Sequence, residues 1–258
     1  LVAYDAVGPA GGAGQFTNST NLITWTHTVG AGGNVVAIAA QCDVAAGGYS
    51  MAATCPGGTV SSLGLISATG QTSSPTVSFV QMWLVTGVSA GAYTVTVTTS
   101  GGTPTNTGGG SVSVSGCTGN GTAATAYNAS TGTNVGVPAT TTGNLVIACV
   151  GAGGTITAAS SPSTGRVLNN GAGSGGDDMG NIAIATWPST GGTVTTNWSL
   201  AVSCGLIGVE LTGGTNTSPA WAASYDTTAV AGTGTWTNPA NAEGTGGSSG
   251  PWATWTAP

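Results

Sequence analysis

One cation in 258 residues constrains this chain more than any other feature: Arg166 stands alone, and there is no lysine. Charged residues make up 3% of the chain, against about 25% in an ordinary soluble domain. A fold made from such a sequence cannot rest its surface on solvated charge. Its polarity must come from Thr, Ser, Asn and the peptide groups. Little charge repulsion keeps such surfaces apart, which points to a protein packed among copies of itself or among neighbours.

Several classes then drop out. With 40% hydrophobic residues the chain can build sizeable cores, whereas disordered chains usually combine low hydrophobicity with high net charge. The 47 glycines show no strict three-residue period, so a collagen helix is excluded, and they read as turns. A net charge of −6 with a single cation argues against nucleic-acid partners, which need several Lys or Arg, and against anionic lipid. The longest apolar runs, Val35–Ala40 and Leu145–Val150, fall well short of the roughly 20 residues of a membrane helix. No membrane insertion is expected. No signal-peptide pattern opens the chain, and it does not begin with Met, so Leu1 reads as a processed end or as the start of a piece.

Five cysteines, Cys42, Cys55, Cys117, Cys149 and Cys204, show no CxxC spacing and no histidine cluster, which speaks against zinc. Two readings stand. The thiols are buried and reduced, or the setting is extracellular with two disulfides and one thiol. For the second reading the first pairs are Cys42–Cys55, which flank a Gly-rich loop, and Cys149–Cys204, in or beside apolar strands of one repeat.

Helix formers are nearly absent and no capped run at 3.6 spacing occurs. Strand signals are everywhere. Tyr93-Thr94-Val95-Thr96-Val97-Thr98-Thr99 alternates, with Tyr93, Val95 and Val97 on one face and Thr on the other. Ser111-Val112-Ser113-Val114-Ser115 does the same.

The chain also repeats. A seed occurs as Ala3-Tyr4-Asp5-Ala6, Ala126-Tyr127-Asn128-Ala129 and Ser224-Tyr225-Asp226-Thr227. After the first two comes a Thr-rich strand, then a Gly-Asn turn into an apolar strand, Asn34 to Ala40 or Asn144 to Val150. A long Gly/Ser/Thr region follows, holding Arg166 in the second repeat. Then come a Trp-bearing strand (Trp83, Trp187), a Thr/Val strand and a last strand. Such a series makes an all-β fold of tandem β-sandwich modules with no substantial helix. The expected modules are 1–117 and 118–215. Residues 216–258 are the start of an incomplete third module or a strand-donating tail. In that tail Trp252 and Trp255 point to opposite faces of an extended strand. They are the candidate contacts with a glycan or partner. The natural chain is expected to continue past Pro258.

Trp25-Thr26-His27-Thr28-Val29-Gly30, Asn34-Val35-Val36-Ala37-Ile38-Ala39, Met82-Trp83-Leu84-Val85 and Tyr93-Thr94-Val95-Thr96-Val97 together resemble a jelly-roll-like module. It recurs in minor tail and other virion-surface proteins of phages of high-GC bacteria, and in bacterial surface proteins. The second repeat resembles a sister version through Thr142-Gly143-Asn144-Leu145-Val146-Ile147 and Gly208-Val209-Glu210-Leu211-Thr212-Gly213. Trp236-Thr237-Asn238-Pro239 and Trp252-Ala253-Thr254-Trp255 are similar to the opening of a third module. The resemblance implies fold and setting, and it transfers no catalytic residue.

Chemistry-bearing motifs are few. The acids are Asp5, Asp43, Asp177, Asp178, Glu210, Asp226 and Glu243. Asp5 and Asp226 share a repeat position with Asn128, which suits a turn or capping role. Glu210 reads as solvent-facing or as sitting at a module junction. Asp177-Asp178 reads as a solvated loop rather than a calcium site, since no EF-hand pattern surrounds it. No carboxylate pair in a recognisable context suggests a glycosidase. His27 lies in a Thr-rich strand with no G-x-S-x-G element, so a Ser-His-Asp nucleophile is disfavoured. Gly108-Gly109-Gly110 is no phosphate loop. Trp83 and Trp187 read as core. Sequons at Asn18, Asn120, Asn128, Asn197 and Asn216 matter only if the host glycosylates.

The sequence therefore leads to a non-enzymatic structural protein without cofactor or metal, extracellular, and best matched to a phage tail or head fibre. Its partners are copies of itself or neighbouring virion or filament proteins, and host-surface glycan. Two alternatives stand beside it: a cell-surface filament subunit assembled by strand donation, and a carbohydrate-binding module.

Overall fold

A computed structural model describes residues 1–44, 50–67, 77–128, 133–139, 141–159, 162–170, 180–199 and 204–213. The tail with Trp252 and Trp255, and the Asp177-Asp178 pair, lie outside the described residues.

Eighteen strands and no helix make up the described chain. The first nine are β1 (Ala3–Gly8), β2 (Gln15–Asn18), β3 (Leu22–Val29), β4 (Gly33–Val44), β5 (Ser50–Thr54), β6 (Thr59–Ser67), β7 (Val77–Thr86), β8 (Gly91–Ser100) and β9 (Asn106–Ser115). The second nine are β10 (Cys117–Asn120), β11 (Ala124–Asn128), β12 (Thr133–Ala139), β13 (Leu145–Ala152), β14 (Ala158–Ala159), β15 (Thr164–Asn169), β16 (Asn181–Pro188), β17 (Gly192–Ser199) and β18 (Cys204–Gly213).

The first set forms a large sheet, β1-β9-β4-β7-β6 with β2 also on β9, and a small sheet, β3-β8-β5. The second set repeats this nine strands later: β10-β18-β13-β16-β15 with β11 on β18, and β12-β17-β14. The fold class is as expected, all-β with two tandem antiparallel sheet pairs. The repeat is slipped relative to the seeds, however. Tyr4 pairs with Val114 near the end of β9, whereas Tyr127 pairs with Gly205 near the start of β18. Phe16, opposite Gly108, holds the place that Tyr127 takes in the second set.

Core residues divide by strand parity. Val36, Ile38 and Ala40 of β4 face the small sheet, with Ile23, Trp25, Val95 and Val97. Their neighbours Val35, Ala37 and Ala39 face the other way, toward Ile147, Cys149, Ile182, Ile184 and Val209 of the second large sheet. Val146, Ala148 and Val150 turn to the second small sheet, with Val135, Val137 and Trp198. The order of layers is therefore small, large, large, small. Both central sheets are covered on both faces, so their middle strands are largely apolar on both sides. That is why Val35–Ala40 and Leu145–Val150 read as unbroken runs. Buried polar side chains such as Ser111, Ser113 and Glu210 are hydrogen-bonded. Leu1–Asn216 is one compact unit.

The contact between the large sheets is reciprocal. β4 meets β16 and β13 meets β7, while β9 meets β15 and β16 as β18 meets β6 and β7. This is the pattern of an isologous dimer, here within one chain. Strand ends of both sets share two poles. At one, Gly213 lies against the backbone of Leu1, Val2 and Gly116. At the other, Gln41 Nε2 at the far end of β4 donates to the carbonyl of Ala152 at the far end of β13, 3.2 Å away.

Glycines serve here as packing residues as well as turns. Gly108–Gly110 lie inside β9 and are buried. A Cβ on Gly109 would strike the Trp25 indole, and one on Gly110 would sit 2.6 Å from Val167 Cγ1 across the central interface. The missing side chains let sheet approach sheet. Gly110→Ala should therefore lower stability by about 1–3 kcal/mol, the usual cost of overpacking. Adding Val167→Ala should return part of that loss in denaturant melts. Strictly additive losses would contradict the contact.

Candidate functional site

Among the described residues the charged side chains are those of Asp5, Asp43, Arg166 and Glu210, and none is exposed. Three of them fasten joints of the fold. Glu210 is fully buried. Its Oε1 accepts from the Thr141 backbone N–H at 3.3 Å, Asn144 Nδ2 at 3.0 Å and Ser189 Oγ at 3.1 Å. It is neither solvent-facing nor idle: it ties the turn before β13 to the end of β16. A carboxylate can be buried when donors replace its water in this way.

The first module solves the same problem with the carboxylate on the next strand. Val36 pairs with Ser113 where Val146 pairs with Glu210. Ser113 is thus the counterpart of Glu210, and its Oγ donates to Asp5 Oδ2 of β1 at 2.7 Å. The same Oδ2 accepts from the Gly30 backbone N–H at 2.9 Å, in the turn before β4. Asp5 does the capping expected of it, but Asn128 is not its counterpart, because of the slipped register. Asn34 and Asn144 complete both joints. Their side-chain oxygens accept from the backbone N–H of Cys117 (3.2 Å) and Gly213 (3.1 Å), where β9 and β18 run out.

Arg166 is not in a loop. It lies in β15, within the register shift between Gly165 and Val167. Its guanidinium stacks 3.7 Å from the Tyr4 ring centroid, and its Nε donates to Thr186 Oγ1 at 3.0 Å. The one cation is therefore a cation–π clasp between the two modules. Beside it the Leu168 N–H donates to the carbonyl of Gly12 at 2.8 Å.

His27 is fully buried. Ser111 Oγ lies 2.8 Å from His27 Nδ1, accepts from Trp25 Nε1 at 2.8 Å and donates to the Gly8 carbonyl at 3.3 Å. All three bonds hold together only if Nδ1 carries the imidazole proton, since Ser111 has one hydrogen to give. Nε2 is then a bare lone pair, and it has no partner. This is not the arrangement of a Ser-His-Asp nucleophile: Ser111 is buried and accepts from the histidine, and Asp5 is bonded to Ser113 instead. Burial pulls the His27 pKa down to about 4, partly countered by the nearby Asp5 charge.

None of the five cysteines forms a disulfide, and all are buried. Cys149 belongs to the central core and Cys204 to the core of the second small sheet, on opposite faces of one sheet, so the pair Cys149–Cys204 is not joined. Cys42 and Cys55 share the first small-sheet core without a bond. Burial, with the Asp43 charge, raises the Cys42 thiol to about 12, and burial raises Cys149 to about 12. Such thiols are poor nucleophiles. Trp83 and Trp187 are both core residues, one pleat step out of register, since Trp83 pairs with Ile38 and Trp187 with Val146. Trp187 meets Trp198 edge to face at 5.5 Å.

No cluster of three or more His, Cys, Asp or Glu able to hold a metal occurs among the described residues. Among the described residues one concave feature is a groove between β1 and β3, lined by Tyr4, Asp5, Gln15, Trp25, Thr26 and Thr28 among others. No family model, curated protein or solved structure matches the chain.

The histidine makes a prediction with a sign. Its folded pKa, about 4, lies below the ordinary value near 6.5. The stability it allows is complete above pH 6.5 and drains away as pH falls toward 4, by about 3 kcal/mol in all. Chemical denaturation at pH 7 and pH 4 should show this loss, and His27→Gln should lack that share of it. An equal pH dependence in both proteins would contradict the burial of a neutral imidazole.

Proposed function

We propose that this chain is a non-enzymatic structural component of an extracellular assembly, best matched to a phage virion surface such as a tail or head fibre. The observation that carries the reading is the neutral exterior. Every charged side chain among the described residues is buried or half-buried, three of the four at joints of the fold. The outside of the first small sheet carries Thr24, Thr26, Thr28, Ser50, Thr54, Thr94 and Thr98, among other small or polar residues, with Leu22 half-exposed. Such a face repels no copy of itself, and its contacts do not depend on ion pairs. The resemblance of the Trp25–Gly30, Asn34–Ala39, Met82–Val85 and Tyr93–Val97 segments to jelly-roll-like phage tail modules supports the same setting.

A second reading, a filament subunit built by strand donation, draws on the sheet edges. β3 and β5 pair only with β8 among the described strands. Their free edges carry none of the charged guards that usually block strand addition.

Sedimentation velocity and negative-stain microscopy of the full chain at micromolar concentration test the proposal. Association should be present and should persist from low to molar salt, since screening removes only charge-based contacts. A monomer at all salt concentrations would contradict it.

A further inference from the structure

We infer that the groove between β1 and β3 is a binding site for a neutral saccharide. The inference extends the reading above by giving the assembly something to hold, and it can fail separately.

The groove collects what sugar recognition requires. Sugars offer a C–H face that packs on an aromatic ring and a rim of hydroxyls that both donate and accept. Tyr4 is 36% exposed and lines the groove. Its ring is braced by the Arg166 guanidinium, itself held by Thr186. The platform is therefore ordered before any ligand arrives, which lowers the entropy cost of binding. Trp25 borders the groove, but its indole is buried in the core behind it, where Ser111 fixes it.

Hydrogen-bonding groups stand around this platform. Both bonds of Asp5 described above are made by Oδ2. Its Oδ1 lies over Gly30, another lining residue, and offers an acceptor for ligand hydroxyls. Thr26 and Thr28 of β3 are exposed and two residues apart, so both hydroxyls lie on the same face of the strand. Gln15 adds an amide. A few convergent polar groups around an aromatic surface are the usual make-up of a small-ligand site.

Charge narrows the class. Asp5 in the wall disfavours anionic sugars. The only cation nearby, Arg166, is half-buried and engaged with Tyr4 and Thr186, so it is not placed to neutralise a carboxylate or phosphate ligand. A neutral hexose or N-acetylhexosamine unit is what these groups complement.

Amide-resolved NMR titration of the full chain tests the site, using the neutral trisaccharides of glucose, galactose, mannose and N-acetylglucosamine, with a glucuronic acid oligomer as the charged control. At least one neutral sugar should shift the amides of Tyr4, Ala6, Thr26 and Thr28, with the acidic control silent. Tyr4→Ala should weaken that binding at least tenfold, and Thr98→Ala on the outer face of β8 should leave it unchanged. If Tyr4→Ala does not fold, the map of shifts on the unaltered chain decides alone. Shifts absent for every neutral sugar, shifts elsewhere, or groove amides that move only on self-association would overturn the inference. The last result would give the groove to a second copy. Sedimentation separates the two readings: a chain that assembles but binds no sugar loses only this site, and a monomer that binds sugar loses only the assembly.

Discussion

The face-to-face packing of the two large sheets is the contact on which the rest depends. Ala37, Ala39, Met82 and Val112 from one side meet Ile147, Cys149, Ile184 and Val209 from the other. Each sheet also packs a small sheet on its opposite face, so no central strand has a wet side. An uncharged sequence suits this demand, because positions that would carry solvated side chains in an ordinary half-exposed sheet are interior here. Close approach is helped by strand glycines such as Gly110 under Val167 and Gly151 against Val80. The reciprocal contact makes the body a dimer in one chain, with both modules pointing the same way along their strands.

From this arrangement follows the use of the few charges. Asp5 and Glu210 supply a carboxylate to the turn before the long central strand of each module, from two different strands of the sheet. That two modules reach the same capping by different residues argues that the turn needs an acceptor there, whichever strand provides it. Arg166 clasps Tyr4 across the modules. With those charges spent inside, the described exterior is neutral, and contacts made by such a surface rest on shape, hydroxyls and backbone edges. Assembly with copies and recognition of uncharged sugars are both chemistries of that kind.

Much of the fold was legible in the chain. The alternation of Tyr93–Thr99 marked a half-exposed strand, and the Gly-Asn turns at Asn34 and Asn144 marked the start of each central strand. What was not legible has physical causes. Val35–Ala40 shows no alternation and could not reveal that a second large sheet covers it, while Ser111–Ser115 alternates like a half-exposed strand although both of its faces are buried, its serines bonded to Trp25, Gly8 and Asp5. Glu210 follows the run Leu206–Val209 and precedes Leu211, and that flanking was the available signal for burial. Arg166 sits at a bulge in a short, mixed strand, which carries no period to read. The Tyr seeds misled because a four-residue likeness ignored spacing: Tyr4 lies thirty residues before Asn34, and Tyr127 only seventeen before Asn144. The groove joins β1 to β3 across two sheets, and no local motif announces such a juxtaposition.

The central claim is that the modules pack through their large sheets, and methyl nuclear Overhauser spectroscopy on the intact chain addresses it most directly. The account requires cross-peaks from the Val167 methyls to the Gly110 α-protons, and from the Val80 methyls to those of Gly151 and Gly205, since Val167 Cγ1 and Val80 Cγ2 lie over those glycines. Cross-peaks confined to pairs within each module, with none between the two, would contradict it.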